Sequence, residues 1–254
     1  MRKTISNLVI ATALLAACGG TSTTAPAASP TPSAPAPVTK FKNVLPGQTT
    51  AAPFDAIQIV IEFAPGAATP KHMHPTPNLA TVLEGEVTAK TPSGDKTAKA
   101  GETIIEPLNQ PVQAVNTGSG KALLLAIYPV PKGSGTSTPV AGSAPPAIPS
   151  RNLYKYTLES PEVSGAYDIV QLELEFAPGA QTARHRHGGP GILTVLQGEF
   201  TLRTDAGDKT YKVGDSFVEN PGQTLQAFNR GTEVLIVVAA YLLPSGAALT
   251  TNVT

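Results

Sequence analysis

The sequence predicts an all-β protein made of two tandem copies of one unit, and three observations lead to this prediction. Residues 66–85 recur as residues 179–198, and the offset of 113 residues does not shift anywhere along the two copies. Both copies contain short β-branched runs separated by Gly-, Pro- and Asn-containing turns, which is typical of an antiparallel barrel or sandwich. No segment shows a sustained helical period of hydrophobicity. An ungapped repeat gives every loop the same length in both copies, so we expect two superimposable domains.

The β runs follow one another in the same order in each copy. In the first copy they occupy residues 57–63, 81–87, 103–105, 112–115 and 122–128. In the second copy they occupy residues 170–176, 193–196, 216–218, 225–228 and 233–242.

The composition bounds the class of protein. The 254 residues are enough for two small domains, and 18 Lys and Arg residues balance 18 Asp and Glu residues. Nucleic-acid binders carry clustered positive charge, which this sequence lacks, so we exclude a nucleic-acid partner.

The first 39 residues predict a leader and a tether. A basic start, an apolar run over residues 5–17 and the junction Leu-Ala-Ala-Cys18 resemble a bacterial lipoprotein signal. The run is shorter than the ~20 residues that span a bilayer; the alternative is a buried N-terminal strand with an incidental cysteine. The resemblance implies cleavage of residues 1–17, lipid attachment at Cys18 and a membrane-anchored protein outside the cytoplasm, in the cell envelope. Residues 18–39, rich in Pro, Ser, Thr and Ala, then form the tether.

The domain boundaries follow from composition. The repeat places one domain at residues 40–130 and the other at 151–243, followed by a C-terminal tail at 244–254. Residues 131–150 are rich in Pro, Gly and Ser and poor in large apolar side chains, so they should form an exposed, protease-sensitive linker.

Two His-x-His pairs are the strongest chemical signal. His72, His74, His185 and His187 are the only histidines of the chain, and they occupy repeat-related positions. Alternate residues of a strand point to the same face, so each pair places two imidazoles where they can contact one ion. The spacing therefore predicts a metal or polar-ligand site in each copy.

The glycines and histidines around these pairs resemble the two sequence motifs of the cupin superfamily. The first motif is matched from Gly66 to Gly85 and its copy, except that its glutamate is Asn78 in one copy and Gly191 in the other. The second motif is matched over residues 101–116 and 214–229, except that its histidine is Val112 or Leu225. The resemblance implies a bicupin: two double-stranded β-helix (jelly-roll) barrels packed with approximate two-fold symmetry as a pseudo-dimer within one chain. It also implies a divalent transition metal, Fe, Mn, Ni or Zn, which the loss of two of the four ligands should leave weakly bound or absent.

Glu106 and Glu219 are the candidates for a replacement carboxylate. They stand at repeat-related positions at the ends of the runs Thr-Ile-Ile and Ser-Phe-Val. A carboxylate there must face either solvent or the barrel mouth, because burying it unpaired is costly. We expect solvent; an inward orientation would complete a set of two histidines and one carboxylate, resembling that of non-haem iron oxygenases, with the glutamate as ligand or catalytic base.

Several other polar side chains could contact a ligand. Arg184 and Arg186 flank the second histidine pair, but flanking residues of a strand point away from it, so we expect them on a solvated or interface face. The first pair is flanked in the same way by Lys71 and Met73. Further candidate hydrogen-bonding residues, each expected to be structural, are Asn78, Gln113, Gln226, Tyr128 and Tyr241.

Two functions of different classes follow. The first is a lipid-anchored bicupin that binds a small polar or carbohydrate-like ligand, or a partner, without turnover. The alternative is a metal-dependent cupin enzyme, a dioxygenase, isomerase or decarboxylase, that uses the His-x-His pairs. Loss of the motif glutamate and histidine favours the first.

Overall fold

A computed structural model describes residues 34–106 and 108–253, and every element in it is a β-strand. Among these residues no helix is long and apolar enough to serve as a membrane span. The strands of the first copy are β1 (Val38–Gln48), β2 (Phe54–Phe63), β3 (His72–Met73), β4 (Asn78–Glu84), β5 (Glu86–Thr91), β6 (Gly94–Lys99), β7 (Thr103–Glu106), β8 (Gln113–Val115), β9 (Ala122–Pro131) and β10 (Thr138–Pro139). The strands of the second copy are β11 (Arg151–Glu159), β12 (Tyr167–Phe176), β13 (His185–His187), β14 (Gly191–Gln197), β15 (Glu199–Thr204), β16 (Gly207–Lys212), β17 (Ser216–Glu219), β18 (Leu225–Phe228), β19 (Leu235–Pro244) and β20 (Thr250–Asn252).

The strands form two jelly-roll barrels, so the predicted all-β fold class is confirmed. The first barrel combines the sheet β11-β2-β9-β4-β7 with the smaller sheets β6-β5-β8 and β10-β3. The second combines the sheet β1-β12-β19-β14-β17 with the sheet β16-β15-β18-β13-β20. Each strand of the second copy is the counterpart of the strand ten places earlier in the chain.

The two barrels exchange their edge strands. β1 pairs antiparallel with β12 of the second barrel, from Val38 opposite Glu175 to Gln48 opposite Tyr167. β11 pairs in the same way with β2 of the first barrel, from Arg151 opposite Glu62 to Glu159 opposite Asp55. Each barrel is therefore completed by the strand that precedes the other in the sequence, and Ala34–Thr254 is one compact unit.

The strand β2 is buried on both faces. In β2, Ile57, Ile59, Ile61 and Phe63 belong to the first barrel's core, which holds only residues of that copy. Alternate residues of the same strand point the other way, and Ala56 joins an apolar cluster built from both barrels. The face of β2 that carries Ile57, Ile59, Ile61 and Phe63 therefore lines the barrel.

Two buried hydrogen bonds between the barrels follow the repeat. Gln58 Nε2 donates to Thr194 Oγ1 at 2.9 Å, and Thr81 Oγ1 donates to Gln171 Oε1 at 2.6 Å. The residues of the second bond are the repeat counterparts of those of the first, so the two halves meet with approximate two-fold symmetry. Buried polar pairs of this kind fix the register of an apolar interface.

The segments predicted as tether, linker and tail differ in part from expectation. Val38 and Thr39 of the tether lie in β1. Thr138 and Pro139 of the linker pair with Met73 and His72, although we expected that segment to be too polar to form a strand. In the tail, β20 pairs with β13 in the corresponding way. Backbone hydrogen bonds to an existing strand edge hold a segment without large apolar side chains, and composition does not reveal this.

Candidate functional site

Each His-x-His pair lies on a short strand with both imidazoles directed into its barrel. The Nε2 atoms of His72 and His74, on and just after β3, are 2.9 Å apart. Those of His185 and His187, on β13, are 3.2 Å apart. Two ligands at about 2.1 Å from one ion and at roughly right angles would have their nitrogens about 3 Å apart, so the spacing suits a shared ion.

The other ring nitrogen of each histidine is held by a backbone carbonyl. In the first barrel, Nδ1 of His72 is 2.7 Å from Pro70 O and Nδ1 of His74 is 2.7 Å from Thr136 O. The counterparts in the second barrel are the carbonyls of Ala183 and Leu249, both at 2.8 Å. A carbonyl only accepts hydrogen bonds, so the proton of the neutral ring is on Nδ1. The facing Nε2 atoms then carry lone pairs, the tautomer that binds metal.

Glu106 and Glu219 face inward, so our expectation that they face solvent was wrong. Glu106 is 5% exposed and Glu219 is 2% exposed. Glu106 Oε2 is 2.9 Å from His74 Nε2, and Glu219 Oε2 is 3.1 Å from His187 Nε2. In the first barrel all three donor atoms lie within 4.8 Å of one another.

The register of the sheets explains how these carboxylates reach the histidines. Asn78 of β4 lies directly opposite Glu106 of β7, and Gly191 of β14 lies directly opposite Glu219 of β17. Asn78 and Gly191 occupy the position of the cupin motif glutamate, and opposed residues of an antiparallel pair have Cβ atoms only about 5 Å apart. Glu106 and Glu219 therefore stand one strand away from the motif position, directly opposite it.

A different side chain orients the carboxylate in each barrel. In the first, Asn78 Nδ2 donates to Glu106 Oε2 at 2.6 Å, while Tyr128 stacks on the His74 ring with centroids 5.0 Å apart. In the second, the hydroxyl of Tyr241 donates to Glu219 Oε2 at 2.6 Å and lies 3.3 Å from His187 Nε2.

Gly191 makes room for Tyr241. A Cβ at residue 191 would overlap the Tyr241 ring, so no larger residue fits there without moving the tyrosine. Tyr128 and Tyr241 are repeat counterparts, and the presence or absence of a side chain on the opposing strand decides which polar group contacts the carboxylate.

Burial sets the charge state of most of these groups. Burial lowers the pKa of His72 and His185, which keeps both rings neutral at neutral pH. Burial followed by the nearby glutamate raises the pKa of Tyr128 and Tyr241 well above the usual range, so both phenols stay protonated.

Glu106 is an anion despite its burial. Burial raises the pKa of Glu106, but the hydrogen bonds with His74 and Asn78 outweigh it, and the pKa lies below its usual value. The carboxylate therefore requires a positive partner, either a proton on an imidazole or a cation between the three donor atoms.

The donor set fits a divalent transition metal. Two imidazole nitrogens and one carboxylate oxygen converge, the set that holds Fe(II) in facial-triad sites and is also compatible with Mn and Zn. A fourth protein ligand is ruled out at the second-motif position, because Val112 and Leu225 are apolar and pair opposite the first histidine of each set. His72, His74 and Glu106 would hold one ion, and His185, His187 and Glu219 would hold another.

Each histidine pair and its tyrosine line a cavity. The first cavity has a volume of about 320 Å³ and the second about 210 Å³. Glu219 also lines the second cavity, so a ligand there could reach all three donor residues.

The remaining predicted candidates lie away from the histidines. Arg184 approaches Asp205 at 3.9 Å on the surface, and Arg186 Nε donates to Thr224 Oγ1, so neither contacts the donor set. Gln113 and Gln226 donate to the carbonyls of Thr69 and Thr182, a structural role. Cys18 lies outside the described residues, so its lipid attachment stays a prediction.

Two residues of the site were missed by the sequence analysis. The carbonyls of Thr136 and Leu249 fix the tautomers of His74 and His187, and both belong to segments assigned as linker or tail. Their spacing of 113 residues, the same as that of the histidines, was the available signal.

Comparison with known proteins defines the class. The Cupin domain family matches residues 59–128 and 172–241, which is more than half of the chain. The chain therefore belongs to the cupin family, with one domain in each barrel.

Individual relatives are distant. The chain is 30% identical over 74 residues to the beta-alanine degradation protein BauB of Pseudomonas aeruginosa, a match covering 28% of this chain and 78% of that protein. A structure of oxalate decarboxylase superimposes with a TM-score of 0.60 at 14% identity, covering 79% of this chain and 71% of that one. The Bacillus subtilis enzyme, described with Mn(II) centres, gives a TM-score of 0.54 at 14% identity and covers 84% and 74%. Vicilin from hazelnut, Corylus avellana, gives a TM-score of 0.57 at 13% identity and covers 83% of each chain.

Proposed function

We propose that this protein is a metal-dependent bicupin in which each barrel binds one divalent transition metal through two histidines and a glutamate. The observation that carries the proposal is the convergence, within 4.8 Å of one another, of two Nε2 lone pairs and one buried carboxylate oxygen in the first barrel. In the second barrel His187 Nε2 lies 3.2 Å from His185 Nε2 and 3.1 Å from Glu219 Oε2, so the same three residue types meet at His187. Without a positive charge between them these three acceptors would repel one another. In the second barrel His185, His187 and Glu219 line one cavity, so coordination positions would stay open there, which is typical of catalytic rather than structural metal sites.

The side chains around each donor set have separate roles. The carbonyls of Thr136 and Leu249 hold the second histidine of each pair in its metal-binding tautomer. Asn78 and Tyr241 hold the carboxylates in place by donating to them. When bound, a divalent ion would polarise an oxygen of the ligand in the cavity as a Lewis acid.

The known relatives support the fold but do not supply a substrate. Oxalate decarboxylase with its Mn(II) centres and vicilin share this fold at 13–14% identity, so likeness to them shows architecture alone. We therefore extend the proposal to a metal-dependent reaction on a small molecule and to no named substrate.

The second candidate function is ligand binding without turnover. One observation favours it: Asn78 and Tyr241 already donate to the two carboxylates, so one proton on an imidazole would satisfy each set without metal. The proposed place of action in either case is the cell envelope, through lipid on Cys18. Mass spectrometry of the mature protein tests that part, and an unmodified Cys18 or a retained Met1 would refute it.

Metal content tests the proposal. The full-length chain, purified without chelator or histidine tag and then dialysed, should retain close to two transition-metal ions. Glu106→Gln and Glu219→Gln should each remove one ion, because loss of a ligand costs at least the 10- to 100-fold in affinity seen for outer-shell partners.

Glu62→Gln and Glu175→Gln are the matched controls. These glutamates are also repeat counterparts, but they lie on β2 and β12 and pair with Arg151 and Lys40 of the neighbouring edge strands. Both controls should keep two ions. Metal-free protein, or metal that persists in the Glu106→Gln and Glu219→Gln variants, would refute the proposal and favour ligand binding without metal.

A further inference from the structure

The two cavities have the same position in their barrels but different walls. In each barrel the rim is formed by the exchanged edge strand and by the segment that follows the last long strand. In the second barrel these segments contribute Pro37 and Leu249. The counterparts in the first barrel are Ser150 and Thr136. Elsewhere both rims are polar, with Thr39 and Thr250 in the second barrel and their counterparts Asn152 and Ser137 in the first.

The second cavity also reaches deeper into its barrel. Its walls include Leu193, Phe200 and Ala227 of the second core, together with Leu172 and Leu174 of β12. The first cavity is lined by Ile59 and Ile61 of β2 but otherwise stays near the polar rim. The deep wall of the second cavity is therefore apolar. The polar groups that line this cavity are the donor set with Tyr241 and four further side chains: Thr39, Thr182, Thr250 and Asn252.

The size of the second cavity limits its ligand. An apolar cavity of about 150 Å³ accommodates benzene. The second cavity, at about 210 Å³, has room for one six-membered ring and a short substituent. A rigid apolar ring suits these walls, because binding then costs little conformational entropy and removes apolar surface from water.

We infer that the second barrel binds a monocyclic aromatic molecule bearing one oxygen-containing head group, with the ring against Leu249, Phe200 and the leucines of β12 and the head at the donor set. The first barrel, with its polar rim, does not share this preference. The head-group contact rests on the proposed function, because an anionic head would need the metal to offset the charge of Glu219. The ring contact does not depend on metal.

Reciprocal exchange of the rim residues tests the inference. The probe is benzyl alcohol, a neutral ring with one oxygen, and the protein is the full-length chain after treatment with chelator. Calorimetry measures the affinity, and the amide NMR signals of residues 136 and 249 report which barrel binds the probe. Leu249→Thr should weaken binding at least tenfold, because a lost methylene in an apolar pocket costs about ten-fold or more. Thr136→Leu should leave it unchanged. Both substitutions keep the backbone carbonyls that hold His74 and His187.

Pro37→Ser is a second variant of the same wall and should also weaken binding of benzyl alcohol. Glycerol, which has oxygens but no ring, should not compete. Absence of binding, equal effects of Leu249→Thr and Thr136→Leu, or shifts centred on residue 136 would overturn the inference.

Benzoate separates this inference from the metal proposal. If metal is bound, benzoate should bind to metal-loaded protein and lose affinity on chelation, while benzyl alcohol is unaffected. If the protein is metal-free but benzyl alcohol binding depends on Leu249, the ligand class stands and the metal proposal fails. If metal is present but the affinity for benzyl alcohol does not change in Leu249→Thr, the ligand class fails and the metal proposal stands.

Discussion

The two barrels hold the same three candidate ligands but orient the carboxylate in different ways. The first barrel has an amide, Asn78, on the strand opposite Glu106, and its tyrosine only stacks on His74. The second has Gly191 on the opposite strand, and Tyr241 occupies the vacated space and donates to Glu219. Loss of the side chain at residue 191 is thus compensated by the neighbouring tyrosine, and each carboxylate keeps one strong hydrogen-bond donor. Substitutions that impose the features of one barrel on the other should therefore have unequal effects.

The largest effect is expected for Gly191→Asn. The new side chain would overlap the buried Tyr241 ring, and overpacking of this kind costs about 3 kcal/mol or more when the neighbour cannot move. The reverse change, Asn78→Gly, removes one hydrogen bond to a charged acceptor, but it also removes the Oδ1 atom, which is buried without a partner among the described residues. We expect a loss of only about 1–2 kcal/mol there. Denaturant titration of both variants measures the difference, and equal losses would show that Gly191 is not required for space.

The next largest effect on stability is expected for Tyr241→Phe, and the repeat counterpart Tyr128→Phe should cost less. Loss of the Tyr241 hydroxyl leaves the buried Glu219 without its donor and should cost about 2 kcal/mol. Tyr128→Phe keeps the ring that stacks on His74, so it should cost less than about 1 kcal/mol. Thermal unfolding of the metal-free variants compares them. A Tyr128→Phe loss as large as that of Tyr241→Phe would contradict the assignment of different donors.

Much of the fold was predictable because the repeat is ungapped and the histidines recur with it. The direction of the Glu106 side chain was harder to predict. The run Thr-Ile-Ile-Glu has two adjacent isoleucines, so the sequence does not show which alternate residues of the strand face the barrel interior. In the structure Ile104 is buried with Glu106, whereas Ile105 is 48% exposed. The second copy carried the missing signal: Phe217 is two residues before Glu219, and a large aromatic residue marks the inward face.

The strand exchange was beyond sequence reasoning for a different reason. Residues 38–48 and 151–159 carry the same pattern, and either could pair with the edge of either barrel by the same backbone hydrogen bonds. Only the packing of the two barrels decides between these pairings. The rims of both cavities depend on that choice, so the difference between the walls of the two cavities could not be predicted either.

The smallest expected effect is a pH dependence of stability in the metal-free protein. The pKa of His72 and His185 is lowered by burial, so below the ordinary value of 6.5 the unfolded chain binds protons that the folded chain does not. Stability should therefore be highest above pH 6.5 and fall as the pH decreases. Glu106 contributes a loss of stability in the same direction below pH 4.5, its ordinary pKa, because its pKa in the folded protein is also lowered. Melting temperatures measured against pH should show a shallower decline between pH 6.5 and 4.5 in His72→Asn and His185→Asn, and an unchanged slope would contradict this prediction.

The central claim is that a glutamate on the neighbouring strand replaces the missing motif carboxylate as a metal ligand in both barrels. Anomalous diffraction from crystals of the protein grown with Mn(II) tests it most directly, because the peak locates the ion independently of any assay. The claim predicts one peak in each barrel, at bonding distance from both histidine Nε2 atoms and from a carboxylate oxygen of Glu106 or Glu219. Barrels without a peak, or peaks on the histidines with both glutamates turned away, would contradict it.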